Sequence, residues 1–322
     1  VDQHIGADEH AVMHLLYTRF FTKVLADLGY IGFREPVKNL LTQGMVCMES
    51  YSNDSEYLYP DEVYKKDGKY YTISDDSPVN VGRVEKMSKS KKNVVDPLVL
   101  IDKYGADTAR LFVLFAAPPE KDLEWSEEGV EGCSRFLSRI WNIVTANEEL
   151  IRNFADPENA EGNGKDLWAK THETIKKVGD EIERFHFNTA ISAIMELVNA
   201  AYKLKPETDN EKAVLAQALR SIILLLNPFA PHITEELAEI CGMKAVTETP
   251  FPTVDENALV KDEILVVVQV NGKLRDKMNF PANVTAAEVE AAVRAKDYSK
   301  FLKSGEIKKV VYIPGKLVNV VG

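Results

Sequence analysis

The feature that most constrains the fold is a long run of helical periodicity enclosed by two proline breaks. Between Ser126 and Ile240, apolar residues recur three and four positions apart, as they do on one face of a helix. Pro118-Pro119 precedes this run, and Pro250-Phe251-Pro252 follows it. The run is interrupted by a polar segment at 153–164. The pattern predicts helices joined by loops in an antiparallel bundle.

The residues before the bundle mix helix and strand patterns. We expect a helix over 7–28, a buried strand over 42–48, and a hairpin over 57–72 that turns at Asp67-Gly68. Gly29 is a natural end for the first helix.

The segment 82–92 is too polar and too rich in lysine for a core element, so we expect a loop there. Asp96-Pro97 is typical of a helix start, because proline fits the first helical turn. A second, strongly apolar helix is expected over 106–115.

After the second proline break the period changes from helix to strand. The pattern over 264–280 surrounds Asn271-Gly272, which predicts a hairpin. A helix is expected over 284–295 with Thr285 as its N-cap, and closing strands at 308–313 and 317–321.

The sequence therefore predicts three domains. An α/β domain occupies 1–120, an all-α bundle occupies 121–250, and a linker with a small basic α+β module occupies 251–322.

The hydrophobic fraction of 45% in 322 residues is ordinary for a globular protein and excludes disorder. The longest apolar runs are too short for a membrane helix, and we expect no signal peptide, no membrane and a cytoplasmic location. Because the chain starts inside a motif-like stretch, we expect the C-terminal part of a longer protein or one product of a split gene.

Charge is distributed unevenly along the chain. The net charge of −11 argues against a simple nucleic-acid binder. Residues 261–322, however, hold 11 Lys/Arg and 7 Asp/Glu, a net +4, whereas the remainder carries −15. A second basic segment, 83–92, has five Lys/Arg and one acid. This pattern suits a protein that binds a polyanion at defined points.

The cysteines predict neither disulfides nor a metal site. Cys47, Cys133 and Cys241 are far apart and form no CxxC pair. We expect buried, idle thiols in a reducing cytosol and no cysteine-based zinc site.

The segment Lys86-Met87-Ser88-Lys89-Ser90 carries the clearest chemical signal. Its two ammonium groups, three positions apart, could close over a triphosphate and neutralise charge as pyrophosphate leaves. A solvated basic loop or a nuclear-localisation-like patch is the alternative. The position between an α/β domain and a bundle favours the functional interpretation.

This pentapeptide in this position resembles the signature of class I aminoacyl-tRNA synthetases, and other segments narrow the resemblance to the bacterial type of leucyl-tRNA synthetase. Six segments resemble that family in order: Glu9-His10-Ala11 with Met13-His14-Leu15-Leu16-Tyr17 and Arg19-Phe20-Phe21; Gln43-Gly44-Met45-Val46; Leu123-Glu124-Trp125 with Gly129-Val130-Glu131-Gly132 and Arg135-Phe136-Leu137; Phe187-Asn188-Thr189-Ala190; Asn227-Pro228-Phe229-Ala230-Pro231-His232; and Val267-Val268-Gln269-Val270-Asn271-Gly272-Lys273. The resemblance implies that 1–120 is the second half of a Rossmann-like nucleotide-binding domain.

The resemblance also implies site roles. Lys86 and Lys89 would be the catalytic lysines on the ATP phosphates. The implied ATP-binding residues are Gly6, Glu9, Gln43, Met87, Ser88, Lys89 and Ser90. The leucine and adenylate pocket would be lined by His4, His10 and His14. A carboxylate at Glu9 suits a ribose, because it can accept hydrogen bonds from both hydroxyls. The family usually has Tyr at the position of His4 and Gly at that of Ala7.

His10 and His14 permit other interpretations. They lie four apart on one helix face, which is the spacing of paired metal ligands. The order is not His-Glu-x-x-His, and His4 is the one evident third ligand, so we expect no protein metal site. Packing or capping histidines remain the other alternative.

Contacts with tRNA are expected at two places. The resemblance puts Arg135 and Arg139, at i and i+4, on the tRNA side, although an exposed salt-bridged face is equally compatible. Lys273, Arg275 and Lys277 alternate along a strand, so we expect all three on one face, forming a phosphate patch with Lys308 and Lys309. Trp125 and Tyr312 could stack on RNA or lie in the core.

The resemblance implies that the chain is part of a leucine–tRNA ligase. The complete enzyme would use ATP with Mg2+, L-leucine and tRNA(Leu). This chain lacks the first half of the nucleotide site and the editing domain, so we expect it to be inactive alone and to need the missing N-terminal half, in cis or as a separate chain. A tRNA-binding subunit, or an inert fragment, is the alternative.

Overall fold

The computed structural model describes residues 2–260, 263–281, 284–302 and 307–322. Contacts within the chain divide it into two units, Val1–Val254 and Asp255–Gly322. The first two predicted domains therefore lie within one unit. The boundaries at 120 and 250 remain predictions.

The first unit begins with a β–α–β segment. Strand β1 (Gln3–Ala7) leads directly into helix α1 (Asp8–Asp27), and β2 (Asn39–Gln43) returns to pair with β1 in parallel. The helix predicted over 7–28 is confirmed. Gly29, at φ +78°, follows the end of α1, where a side chain would be strained.

A second sheet follows. Its strands, with those of the neighbouring hairpin, are β3 (Val46–Ser52), β4 (Tyr57–Leu58), β5 (Val63–Lys66), β6 (Lys69–Thr72), β7 (Asn80–Lys86) and β8 (Leu123–Glu124). Strand β3 is central: it pairs antiparallel with β4 and β7 and parallel with β8. The hairpin β5–β6 turns at Asp67-Gly68, as predicted, and both residues have positive φ.

The prediction of a single strand over 42–48 is wrong. Strand β2 ends before Gly44, and β3 begins after it. The Gly44 N–H donates to the Pro119 carbonyl at 2.9 Å, and a Cβ at Gly44 would lie 2.2 Å from the Lys121 backbone. Only glycine permits this close approach.

The loop predicted over 82–92 is also partly wrong. Residues up to Lys86 belong to β7, which pairs with β3 so that Lys86 lies opposite Cys47. Most of the side chains of β7 are exposed, so backbone pairing can hold a polar sequence in a strand. The irregular segment begins at Met87.

Helices dominate the rest of the unit. They are α2 (Pro97–Tyr104), α3 (Ala106–Ala116), α4 (Glu127–Thr145), α5 (Glu148–Arg152), α6 (Lys165–Glu183), α7 (Phe187–Lys203), α8 (Asp209–Leu226) and α9 (Pro231–Ile240). Their apolar stripes form one continuous core that includes Ile140, Ile191 and Ile222, all fully buried. The predicted helix starts at Asp96 and Ala106 and the helical bundle are confirmed.

Helix α3 joins the residues near the basic segment to the bundle. The buried carboxylate of Asp107 accepts hydrogen bonds from His232 Nδ1 at 2.8 Å and from the Ile233 N–H at 2.7 Å. Arg110 donates to the carbonyls of Pro228 and Phe229. The segment 227–232, one of those that resemble the synthetase family, is thus the attachment point for α3.

The second unit is a small α+β fold, as predicted. It contains β9 (Glu263–Val270), β10 (Lys273–Pro281), α10 (Ala286–Arg294), β11 (Lys309–Ile313) and β12 (Leu317–Val321). The sheet order is β10-β9-β12-β11. The Asn271-Gly272 turn and the Thr285 cap of α10 are confirmed. Val289 and Val293 of α10 lie in its buried core.

The three cysteines are free thiols and are buried, as predicted. Burial raises the pKa of the Cys133 thiol to about 11 and also raises the pKa values of Cys47 and Cys241. Thiols with raised pKa values are unreactive at neutral pH.

Candidate functional site

The first candidate cluster lies where the two parallel strands β1 and β2 end. Ala7 lies opposite Gln43 at this edge, and Gly6 lies opposite Thr42. Helix α1 starts at the next residue, without a side-chain cap on its first N–H groups. Ligands of parallel α/β sheets bind at the carboxyl ends of the strands, where helix N-termini attract anions.

The histidines lie beside this edge. A Cβ built on Gly6 would lie 3.5 Å from His10 Cβ and 3.8 Å from His4 Nε2, so both histidines border Gly6. The rings of His10 and His14 meet edge to face with centroids 4.8 Å apart. The fold thus brings together His4, Gly6 and His10 with His14 one turn away. The side chain of Glu9 lies outside the described part of the structure.

Among the described residues, the structure contains no group of three or more His, Cys, Asp or Glu side chains arranged to hold a metal ion.

The second candidate cluster is the signature segment, which we call the signature loop and define as residues 87–93. It begins where β7 ends, and the Met87 N–H still donates to the Val46 carbonyl at 3.0 Å. Ser88 and Ser90 hydroxyls are 3.3 Å apart. The side chains of Lys86 and Lys89 are exposed. In the described ranges, Lys89 has no ion-pair partner, so its ammonium group is available to an anion.

Two other lysines anchor the signature loop. Lys91 pairs with Glu85, which also accepts a hydrogen bond from Ser50. Lys92 pairs with Glu56 at 2.9 Å. Hydrogen bonds from Lys91 and Ser50 lower the pKa of Glu85, and the hydrogen bond with Glu56 raises the pKa of Lys92. Both pairs are therefore charged at neutral pH.

Asn93 is a residue that sequence analysis missed. It is fully buried. Its Oδ1 accepts from the Ser88 N–H at 2.9 Å, and its Nδ2 donates to the carbonyls of Met48 at 3.1 Å, Lys86 at 3.3 Å and Glu85 at 3.4 Å. A lone asparagine in a polar segment gives no sequence signal of burial, because its partners are backbone groups.

The predicted tRNA residues of the bundle have partners within the chain. Arg135 is exposed and lies 3.6 Å from Glu131, one turn earlier in α4. Arg139 donates to Asn199 at 2.8 Å, and its guanidinium lies 5.0 Å from the centre of the Tyr202 ring.

Trp125 is half-buried and packs edge to face on Phe112, with centroids 5.1 Å apart. Trp125 thus packs against the core of the first unit, and its stacking on RNA stays a prediction.

The basic strand of the second unit does not present one face. A bulge lies between Leu274 and Asp276, so Lys273 is opposite Val270 but Lys277 is opposite Val267. Val270 is buried on the core side, whereas Val267 belongs to the other side. The prediction that Lys273, Arg275 and Lys277 share a face is therefore wrong, because the bulge shifts the alternation by one residue.

Arg275 and Asp276 change the electrostatics of this strand. The guanidinium of Arg275 lies 4.3 Å from the centre of the Phe301 ring. Asp276 accepts hydrogen bonds from Lys296 at 2.6 Å and from Tyr298 at 3.2 Å, and the bond from Lys296 is the main cause of its lowered pKa. Lys277 is exposed on the other face of the strand.

Lys308 and Lys309 are exposed at the other edge of the sheet. Lys309 starts β11, three strands away from β10, which is roughly 14 Å at ordinary strand spacing. The single patch predicted from these lysines and Lys273, Arg275 and Lys277 is thus divided between two edges. Tyr312 is half-buried, on the core side of β11.

Family models match two segments of the chain. Residues 65–126 match "tRNA synthetases class I (I, L, M and V)", and residues 164–291 match "Anticodon-binding domain of tRNA ligase". The first match includes the signature loop.

Similar curated proteins extend this likeness to the whole chain. It is 51% identical over its full length to a leucine–tRNA ligase of Desulfatibacillum aliphaticivorans and 50% identical to that of Syntrophus aciditrophicus. The chain belongs to the leucine–tRNA ligase family. It matches the C-terminal part of these ligases and covers 38% of the length of each.

Solved structures support the family assignment. A LeuRS–tRNA–LeuAMS ternary complex from Agrobacterium radiobacter K84 matches with a TM-score of 0.76 and 33% identity, covering 100% of this chain and 37% of that one. A methionyl-tRNA synthetase of Mycobacterium tuberculosis shares the fold over 79% of this chain and 49% of its own, at a TM-score of 0.51 and 18% identity. The class I synthetase fold is thereby confirmed. In the part of this chain that the structure describes, no helix is both long enough and apolar enough to cross a membrane.

Proposed function

We propose that this chain supplies the C-terminal part of an enzyme that activates L-leucine with ATP and transfers it to tRNA(Leu). The observation that carries the proposal is 51% identity to a leucine–tRNA ligase along the entire chain. The exposed side chains of Lys86 and Lys89 and the cluster at the ends of β1 and β2 give the proposal a chemical basis.

In this function, the leucine carboxylate oxygen attacks the α-phosphorus of ATP, and the bond to the β-phosphate oxygen breaks. Pyrophosphate leaves with increased charge, and Lys86 and Lys89 neutralise it. The backbone around Met87 approaches adenine, with Ser88 and Ser90 beside the nucleotide, while Gly6, Glu9 and Gln43 hold the adenosine. Mg2+ accompanies ATP as part of the substrate.

His4, His10 and His14 would form the wall of the leucine and adenylate pocket. A hydroxyl at the 3′ end of tRNA then attacks the acyl carbon, the ester forms and AMP leaves. The cluster at Gly6 is compact enough for the histidines to act together, since both His4 and His10 border the same glycine.

Completion of this site requires more chain. Helix α1 exposes large apolar side chains, including Met13, Leu16, Phe20 and Phe21. Exposed apolar surface of this extent is typical of an interface. We assign it to the remaining part of the nucleotide-binding domain, joined in cis or supplied as a separate chain.

Contacts with tRNA would come from the bundle and from the second unit. Arg135, next to Glu131, and Arg139, on Tyr202, lie on one helix and could both meet phosphates. Lys277 on one edge, and Lys308 and Lys309 on the other, would act as separate phosphate contacts rather than one patch. We place the reaction in the cytoplasm.

The test is charging of tRNA(Leu) with labelled leucine. The chain is mixed with, or fused to, the remaining part of the Desulfatibacillum ligase, and each half is assayed alone. We expect charging by the combined preparation only. Equal charging by the other half alone would overturn the proposal and favour a tRNA-holding or inert chain.

A further inference from the structure

Asn93 holds the beginning of the signature loop, whereas the two anchoring lysines hold its end. Lys91 and Lys92 fix the end of the loop through Glu85 and Glu56. Ser88 lies at the other end, next to Lys89, and its N–H is held by Asn93 Oδ1 at 2.9 Å. The amide of Asn93 therefore ties the beginning of the loop to its end.

The same side chain fixes the loop to the sheet. Its Nδ2 donates to the Met48 carbonyl in β3 and to the carbonyls of Glu85 and Lys86 in β7. Because the side chain is fully buried, water does not compete for these hydrogen bonds. The backbone before Asn93 is itself unusual, since Lys92 is left-handed at φ +52°. Such a conformation persists where surrounding contacts enforce it.

We propose that Asn93 is a positioning residue for the signature loop: it sets the backbone path from Lys86 to Lys89 and thereby the place of both ammonium groups. The proposal rests on the phosphate-binding function proposed for those lysines. The Asn93 side chain is fully buried and bonds to backbone groups, so we assign its effect to the loop rather than to direct contact with substrate.

An amide side chain is the residue type that this position requires. It needs one acceptor for the Ser88 N–H and donors for three carbonyls. Aspartate keeps the acceptor but has no donor when ionised, and it buries a charge against carbonyl oxygens. Alanine leaves all four backbone groups without this partner.

Hydrogen exchange of the chain tests the positioning directly. The variants are Asn93→Ala and the milder Asn93→Ser, each with its unfolding midpoint measured. Asn210→Ala is the matched control, because Asn210 also bridges two backbone groups, the Glu161 N–H and the Asn159 carbonyl, each at 3.0 Å. We expect faster amide exchange in peptides covering 87–92 for both Asn93 variants and unchanged exchange there for the control.

Kinetics of the combined enzyme provide the second measurement. Leucine-dependent exchange of pyrophosphate into ATP should show a kcat lowered about 10- to 100-fold by Asn93→Ala, since small misplacement of reacting groups costs that much. The KM for leucine should change little. If Asn93 had a purely structural role, Asn93→Ala would lower the amount of folded enzyme without lowering kcat selectively relative to KM.

The two proposals fail in different ways. If the combined wild-type enzyme shows no exchange activity, the proposed function fails, and hydrogen exchange still decides whether Asn93 orders the loop. If the Asn93 variants keep the wild-type rate of amide hydrogen exchange at 87–92 and the wild-type kcat, the positioning function of Asn93 is overturned. If the loop loosens but kcat stays, the loop position does not govern the reaction, which also overturns it.

Discussion

Helices α1 and α8 carry the same kind of apolar periodicity, but their surroundings differ. In α8, Leu219, Ile222 and Leu226 are completely buried by the other helices of the bundle. In α1, Met13 is 63% exposed and Phe20 is 61% exposed, although both belong to an apolar stripe. The bundle supplies its own partners, whereas the β1–α1–β2 segment needs a surface from elsewhere.

The difference separates the residues that stabilise the fold from those for which we propose a role in catalysis. The bundle core and the docking of α3 through Asp107 and Arg110 stabilise the fold. The proposed nucleotide site beside Gly6 lies in the segment whose apolar face is exposed. We therefore expect mutations in the bundle to change stability and mutations in the β1–α1–β2 segment or the signature loop to change activity.

The largest expected effect is on folding. Ile222→Ala should lower the free energy of unfolding by about 3 kcal/mol, because a buried isoleucine leaves a cavity when truncated. Leu16→Ala, the matched control on the exposed face of α1, should change it by less than about 0.5 kcal/mol. Denaturant titration of the two variants measures both values; similar losses would show that α1 is buried after all.

Lys89→Ala should affect the reaction nearly as strongly. Removing one preorganised charge from the transition state costs about 100-fold in rate, or about 2.7 kcal/mol. Lys69→Ala, which removes an exposed lysine from the β5–β6 hairpin, is the control. The rate of adenylate formation in the combined enzyme is measured after rapid mixing, and an unchanged rate for Lys89→Ala would identify the loop as a solvated basic segment.

His14→Ala should have a smaller effect, limited to leucine. Loss of one pocket contact is expected to raise the KM for leucine about tenfold, equal to about 1.4 kcal/mol, while tRNA affinity stays constant. His186→Ala, which removes an exposed histidine paired with Glu181 in the bundle, should leave both unchanged. Weaker tRNA binding with normal leucine dependence would place His14 outside the pocket.

The smallest expected effect concerns RNA and the second unit. Lys277→Ala should reduce the slope of log affinity for tRNA against log salt by about one unit, as expected for one phosphate contact. Lys205→Ala, at an exposed position of the bundle, should leave the slope unchanged. Binding isotherms at several salt concentrations measure this slope. Equal slopes for wild type and Lys277→Ala would remove β10 from the tRNA contacts.

Most elements of the fold could be predicted because local patterns determine them. The bundle stripes, the Asn271-Gly272 turn and the Thr285 cap each depend on residues close in sequence. The predictions were wrong where residues distant in sequence determine the local structure. Strand β7 exists because β3 pairs with it, and the break at Gly44 exists because the Lys121 backbone lies against it.

The candidate sites show the same limit. The spacing of Lys86 and Lys89 was visible in sequence, but Asn93 bonds to backbone groups of β3 and β7, which sequence cannot place. The bulge beside Arg275 has no local signal either, and it changes which lysines share a face. Roles for individual residues remain predictions for these experiments.

The most direct test of the contrast between the two regions is leucine-dependent pyrophosphate exchange by this chain alone and after addition of the remaining ligase part. We expect a cooperatively folded bundle and no pyrophosphate exchange for the chain alone, with exchange appearing once the apolar face of α1 is covered. Robust exchange by the purified chain alone would contradict it, because the nucleotide site would then be complete without a further surface.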